Sequence, residues 1–157
     1  MSKLDILSMT PDEVEKEIIA MGEPKFRAKQ IFKWLHLGIN NFEEMTDIPK
    51  ALRGNLQNTC YIAGVEIVRR LQSKLDGTVK YVYRLFDGEY IESVFMKYEH
   101  GNTLCISSQV GCRMGCKFCA STLLGRVRNL EPSEMLGQII AAEKDTGERI
   151  SNVVMMG

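Results

Sequence analysis

The spacing of apolar residues changes once along the chain. In the first sixty residues apolar positions recur at intervals of three and four, the period of a helix with one buried stripe: Val14, Ile18 and Ile19, then Phe26, Ile31, Trp34 and Leu35, then Leu52 and Leu56. Thr10-Pro11-Asp12-Glu13 starts the first helix. Thr10 is suited to cap, Pro11 fits the first helical position, Glu13 completes a capping box, and Gly22 ends the helix. The second helix is predicted over 26–37 with Gly38 as its stop, and a third begins near Asp47-Ile48-Pro49. Phe26 and Trp34 read as helix core.

Residues 65–71, 79–86 and 90–96 are instead rich in β-branched and aromatic types. Asp76-Gly77 and Asp87-Gly88 lie between them, which predicts hairpin turns with positive φ at both central positions and hence a β-meander. A fourth strand, 103–108, leads into a group of cysteines. Pro132 opens a helix with Met135, Leu136, Ile139 and Ile140 on one side, Gly147 closes it, and 151–156 reads as a buried strand. Strand, helix and strand in that order form a βαβ unit and a parallel pairing. The expectation is an α/β chain (α+β overall) with a helical domain over 1–60, a meander over 61–101 and a βαβ unit over 102–157. A lone βαβ unit leaves sheet edges unpaired, so the fold is expected to continue past Gly157.

Composition narrows the class without naming a chemistry. Apolar residues make up 45% and charged residues 25%, the balance of a globular domain. Lys plus Arg equals Asp plus Glu at 20 each, which argues against a strongly basic nucleic-acid clamp but leaves room for a local patch. No apolar run is long enough for a membrane span, and the opening residues lack a signal-peptide core, so the expected location is the cytoplasm. Five cysteines, three of them within eight residues, read in such a compartment as metal or redox chemistry rather than a disulfide framework.

Those three are Cys112, Cys116 and Cys119, spaced C-x3-C-x2-C. Three thiolates on one tight loop suit three corners of a 4Fe–4S cluster and leave one iron without a protein ligand. Such an iron can chelate the amino and carboxylate groups of S-adenosylmethionine. A zinc site, or three structural cysteines, are the alternatives. Zinc asks for four ligands, and His36 and His100 are not at a regular zinc spacing from the loop. Phe118 precedes the third cysteine, where an aromatic ring can pack beside an adenine. Between His100 and Glu131 the charged residues are Arg113, Lys117, Arg126 and Arg128, suited equally to RNA phosphates or to the charge of a cluster.

The string Thr103-Leu104-Cys105-Ile106-Ser107-Ser108-Gln109-Val110-Gly111-Cys112, with Lys117-Phe118-Cys119-Ala120-Ser121-Thr122 and the segment 125–130, resembles the signature block of the RlmN/Cfr family of radical S-adenosylmethionine RNA methyltransferases. Gly22-Glu23-Pro24-Lys25-Phe26-Arg27-Ala28-Lys29-Gln30 with Trp34 resembles that family's helical N-terminal domain. Asn152-Val153-Val154-Met155-Met156-Gly157 resembles the start of its S-adenosylmethionine-binding strand, which makes Met156 and Gly157 cofactor contacts. The resemblance implies the first βαβ unit of a partial (β/α) barrel, a 4Fe–4S cluster and S-adenosylmethionine as cofactors, and an electron donor such as flavodoxin or ferredoxin. It implies large-subunit ribosomal RNA as substrate, in some members also transfer RNA, methylated at carbon 2 of an adenosine. Cys119-Ala120-Ser121-Thr122 is closer to RlmN than to Cfr, whose target is carbon 8. The full-length proteins are expected to be monomeric.

Two more residues gain roles from the resemblance. Cys105 on its own reads first as a small core residue; the family makes it the cysteine whose transient disulfide releases methylated RNA from a covalent adduct. Glu92 shares a strand face with Tyr90, Val94 and Met96. Among apolar neighbours its charged form is disfavoured, which suits a general base, although a charge facing water is the simpler reading. The family makes it the base that takes the proton from the adenine carbon. The family's methyl-carrying cysteine is expected beyond Gly157, so this stretch alone is expected to be inactive.

Overall fold

The computed structural model describes residues 3–156, so Gly157 lies outside the described residues. The chain divides into two compact units, Met1–Gly64 and Val65–Gly157.

The first unit is helical, with one small parallel pairing of β1 (Leu4–Asp5) and β2 (Cys60–Tyr61). Helix α1 (Pro11–Ala20) starts as its sequence requires: Thr10 Oγ1 accepts the Glu13 N–H at 3.4 Å, and Glu13 Oε2 accepts the Thr10 N–H at 2.7 Å. Val14 and Ile18 are buried, but Ile19 is exposed; one residue further round the helix takes it off the buried stripe. Helix α2 (Phe26–His36) buries Ala28, Ile31 and Leu35, and α3 (Lys50–Thr59) buries Leu52 and Leu56.

Phe26 is not core. It stands at the first position of α2, ahead of the buried stripe, and is exposed with the Arg27 guanidinium 4.9 Å from its ring centroid. Trp34 is half-buried because its indole N–H donates to the Asp47 carboxylate, which Gln30 also reaches at 3.2 Å.

The second unit is built on a five-stranded sheet in the order β3-β4-β5-β6-β9. The strands are β3 (Glu66–Gln72), β4 (Val79–Arg84), β5 (Tyr90–Tyr98), β6 (Gly101–Ser107) and β9 (Asn152–Met156). The first four strands run antiparallel in sequence order, and β9 joins β6 in parallel through helix α4 (Pro132–Thr146), so the meander and the βαβ unit share one sheet. One face is the core. Val79, Tyr81, Tyr83, Ile91, Phe95, Leu104 and Ile106 pack with Ala142, Met135 and Ile139 of α4. The helix comes close to the chain at Gly137, where an added Cβ would meet Val65 Cγ1 at 3.2 Å.

Three expectations change here. The Asp-Gly turns do not have two positive-φ residues. Gly88 N–H donates to Leu85 O at 3.0 Å, so Phe86 and Asp87 are the centre of the turn, and only Gly88, at φ +87°, is left-handed. The buried side of α4 includes Glu134, Gly137 and Gln138, while Met135, Leu136, Ile139 and Ile140 are half-buried beside it. Strand β9 is exposed rather than buried, since among the described residues it lies at the sheet edge with β6 as its one neighbour.

A further pairing, of β7 (Gln109–Gly111) with β8 (Arg126–Asn129), forms a small antiparallel ladder between β6 and α4. The segment carrying the three cysteines projects from this ladder.

Candidate functional site

The sheet face away from α4 is set by strand alternation. On β6, Leu104 and Ile106 enter the core, so Thr103, Cys105 and Ser107 belong to the other face. Val94 lies opposite Cys105 on β5, and Val154 lies opposite it on β9, which puts Glu92 and Met96 on that face from one side and Met156 from the other. Met156 stands directly across from Ser107, at the carboxyl ends of the two parallel strands. Ser107 Oγ donates to Glu92 O at 2.7 Å, so Glu92 and Cys105 are diagonal neighbours, about 7–8 Å apart between Cα atoms in such ladders.

Glu92 differs from its sequence reading in one respect. Its face is not apolar, because Lys80 of β4 reaches it: Nζ lies 2.9 Å from Oε1, with side chains 44% and 52% exposed. Cys105 is half-buried and carries a free thiol.

The cysteine loop leaves the same end of the sheet. Its base is closed by Cys112 N–H to Gly125 O at 3.2 Å and by Leu130 N–H to Ser108 O at 2.9 Å. Gly111, at φ +69°, is required there: an added Cβ would stand 2.0 Å from Gly125 O. Within the loop, Cys119 N–H donates to Cys116 O at 3.1 Å, and the Thr122 hydroxyl reaches Cys119 O at 2.8 Å and Cys116 O at 3.3 Å. Cys112 is buried, Cys119 half-buried and Cys116 exposed, and all three thiols are free. Among the described residues no three His, Cys, Asp or Glu side chains are gathered as a metal-holding group. The loop thus shares out three thiols on one short segment without bringing them to a common point. The donor set itself, three thiols without a partner carboxylate or imidazole, has the chemistry of an iron–sulfur ligand set. Phe118 is 95% exposed.

The four basic residues separate. Arg128 is committed to the fold, with NH1 and NH2 on the Glu134 carboxylate at 2.7 and 2.8 Å and Nε on Asp87 Oδ2 at 2.8 Å. Arg113, Lys117 and Arg126 are exposed, although Arg126 donates to Asn129 Oδ1 at 3.0 Å. Burial, the largest single influence, would raise the Asp87 pKa, but the Arg128 hydrogen bond and charge together with the Glu89 backbone N–H outweigh it and hold that carboxyl below its usual range.

Residues 4–62 match the family model described as the ribosomal RNA large subunit methyltransferase N-terminal domain. Over 157 residues the chain is 54% identical to a probable dual-specificity RNA methyltransferase RlmN of Alkaliphilus oremlandii, covering 100% of this chain and 46% of that protein. The chain matches the N-terminal part of RlmN proteins. The RlmN protein of Lachnospira eligens is 56% identical over 154 residues, covering 98% of this chain and 44% of its own. A radical SAM methyltransferase from Sphaerobacter thermophilus has the same fold at a TM-score of 0.86 and 38% identity, over 98% of this chain and 46% of that one. The chain therefore spans under half the length of the RlmN relatives it matches, as their N-terminal portion. No helix among the described residues is long and apolar enough to cross a membrane.

Sequence reasoning did not single out Lys80, Glu134 or Gln138. The only trace of the last two was a pair of long polar residues one helical turn apart, beside Gly137, at the otherwise apolar stretch 135–142 of the helix.

Proposed function

We propose that this chain carries the cluster-holding part of a radical S-adenosylmethionine RNA methyltransferase. Its target is carbon 2 of an adenosine in large-subunit ribosomal RNA and transfer RNA, in the cytoplasm. The observation that supports this best is a juxtaposition: Glu92, Cys105 and Met156 share one sheet face at the carboxyl ends of two parallel strands, and the cysteine loop leaves from that end. Open α/β sheets bind their ligands at this end.

In this reading Cys112, Cys116 and Cys119 hold a 4Fe–4S cluster, with Phe118, Met156 and Gly157 beside S-adenosylmethionine. When bound, these groups supply the one-electron cleavage that starts radical chemistry, with flavodoxin or ferredoxin as the electron source. The chain's own residues do the rest of what this portion contributes. Glu92 accepts the proton lost from the adenine carbon, with Lys80 holding its carboxylate over the sheet. Cys105, a free thiol one strand away, resolves the covalent RNA adduct by attacking the sulfur of the family's methyl-carrying cysteine: the transient disulfide forms as that sulfur's bond to the RNA-bound carbon breaks, and the electron pair passes to the adenine. Arg113, Lys117 and Arg126 are the cations left to meet phosphate.

The test is anaerobic reconstitution with iron and sulfide, followed by electron paramagnetic resonance of the reduced protein. A cluster signal that changes when S-adenosylmethionine is added is expected. One equivalent of zinc with no iron uptake would overturn the reading in favour of a metal-binding module.

A further inference from the structure

Two buried polar side chains of α4 meet the two ends of the cysteine-bearing segment. Gln138 is wholly buried, and its amide is used on both sides by one residue: Nε2 donates to Ser107 O at 3.0 Å, and Oε1 accepts Ser107 N–H at 3.0 Å. Ser107 is the last residue of β6, where the chain departs toward the loop. One helical turn earlier, the nearly buried Glu134 takes two hydrogen bonds from Arg128, in β8, where the chain returns. Glu134 also accepts the Glu131 N–H at 2.9 Å, and Arg128 reaches Asp87 in the β4–β5 turn. Between the two ends lies the Leu130 to Ser108 bond.

Burying an amide and a carboxylate is a costly way to stabilise a helix face, and apolar residues of the same volume serve stability as well or better. What the polar pair supplies is direction, since each bond accepts only one placement of its partner. We propose that Glu134 and Gln138 are positioning residues for the cysteine loop, fixing its departure at Ser107 and its return at Arg128 so that three thiols on a short segment can meet one cluster. This rests on the reading that Cys112, Cys116 and Cys119 hold that cluster.

The experiment compares four proteins: the unaltered chain, Gln138→Leu, Arg128→Lys and Tyr81→Phe. The last removes a hydroxyl bond to Asp145 at the far end of the same helix and serves as a lesion of stability alone. Each is reconstituted anaerobically with iron and sulfide, and iron retention is followed by visible absorbance against increasing chelator, with circular dichroism melts recorded in parallel. Gln138→Leu and Arg128→Lys are expected to hold iron on the order of 10-fold more weakly, the usual effect of losing a residue that orients metal ligands. Tyr81→Phe is expected to melt earlier yet hold iron like the unaltered chain. If the two loop-end variants hold iron as Tyr81→Phe does, the proposal falls. If the unaltered chain folds and takes no iron, the cluster reading falls first and the positioning role with it. Should Gln138→Leu give no cooperative melt, the half-exposed Arg128→Lys decides alone.

Discussion

Lys80 Nζ lies 2.9 Å from Glu92 Oε1, across two neighbouring strands on the face opposite the core. Both side chains are about half in water, so the pair is worth about 0–1 kcal/mol to the fold. Glu92→Gln is therefore expected to leave the melting temperature nearly unchanged. In a full-length RlmN relative the same change is expected to abolish most methyl transfer to RNA. Equal activity of the Gln variant, at equal stability, would remove Glu92 from the chemistry.

Gly111 and Gly115 make a matched pair of tests. Both have φ +69°, so alanine at either meets the backbone cost of a left-handed conformation, about 1–3 kcal/mol. Only at Gly111 would the new Cβ also strike a carbonyl oxygen, that of Gly125 at 2.0 Å, whereas nothing lies within 4 Å at Gly115. Chemical denaturation should show Gly111→Ala as the more damaging of the two. Equal losses would mean that the base of the cysteine loop yields more easily than its geometry implies.

At high pH the core should fail through its tyrosines. Burial pushes the Tyr83 hydroxyl up to about 12 from 10.0, and burial together with the Asp145 hydrogen bond pushes Tyr81 up as well. A raised folded value means that the contribution is whole below pH 10 and is lost as pH climbs through about 12. Absorbance at alkaline pH should thus show these two tyrosines ionising only with unfolding. Tyr83→Phe should be less stable at neutral pH, having lost its bond to Ser93 at 2.9 Å, by about 1 kcal/mol. Its alkaline loss should be shallower.

Asp145 gives the opposite sign. Partial burial acts to raise its pKa, but hydrogen bonds from Tyr81 and Arg70 outweigh it and leave the carboxyl below 3.8. A lowered folded value contributes stability above the unfolded value, and that contribution disappears as pH falls through the folded one. Asp145→Asn should be the less stable protein at pH 7, with the difference closing below pH 3.8. A difference that persists undiminished in acid would show that the charge of Asp145 is not what holds the end of α4.

What could be read from the sequence was what neighbouring residues decide among themselves. Thr10, Pro11 and Glu13 start α1 because the capping bonds close within four residues. Pro132 and Gly147 bound α4 for the same kind of reason. The common face of Glu92, Val94 and Met96 follows from strand alternation alone. What escaped depends on register or on close approach. Lys80 reaches Glu92 only because β4 and β5 pair as they do, and Gln138 meets Ser107 across 31 positions of sequence. The β7–β8 ladder is three residues against four, too short for any periodicity to show. Its strongest clue was Gly111, whose need for a bare backbone appears only once Gly125 stands against it.

The bond from Leu130 N–H to Ser108 O brings the chain back to where it left the sheet. Residues 112–125 are therefore a detour whose entrance and exit coincide, closed a second time by Cys112 and Gly125. Neither β6 nor α4 needs to change register when that detour changes length. The segment that carries the thiols is in this sense an interchangeable cartridge: its contents can be exchanged while the socket, the sheet end and the first turns of α4, stays as it is.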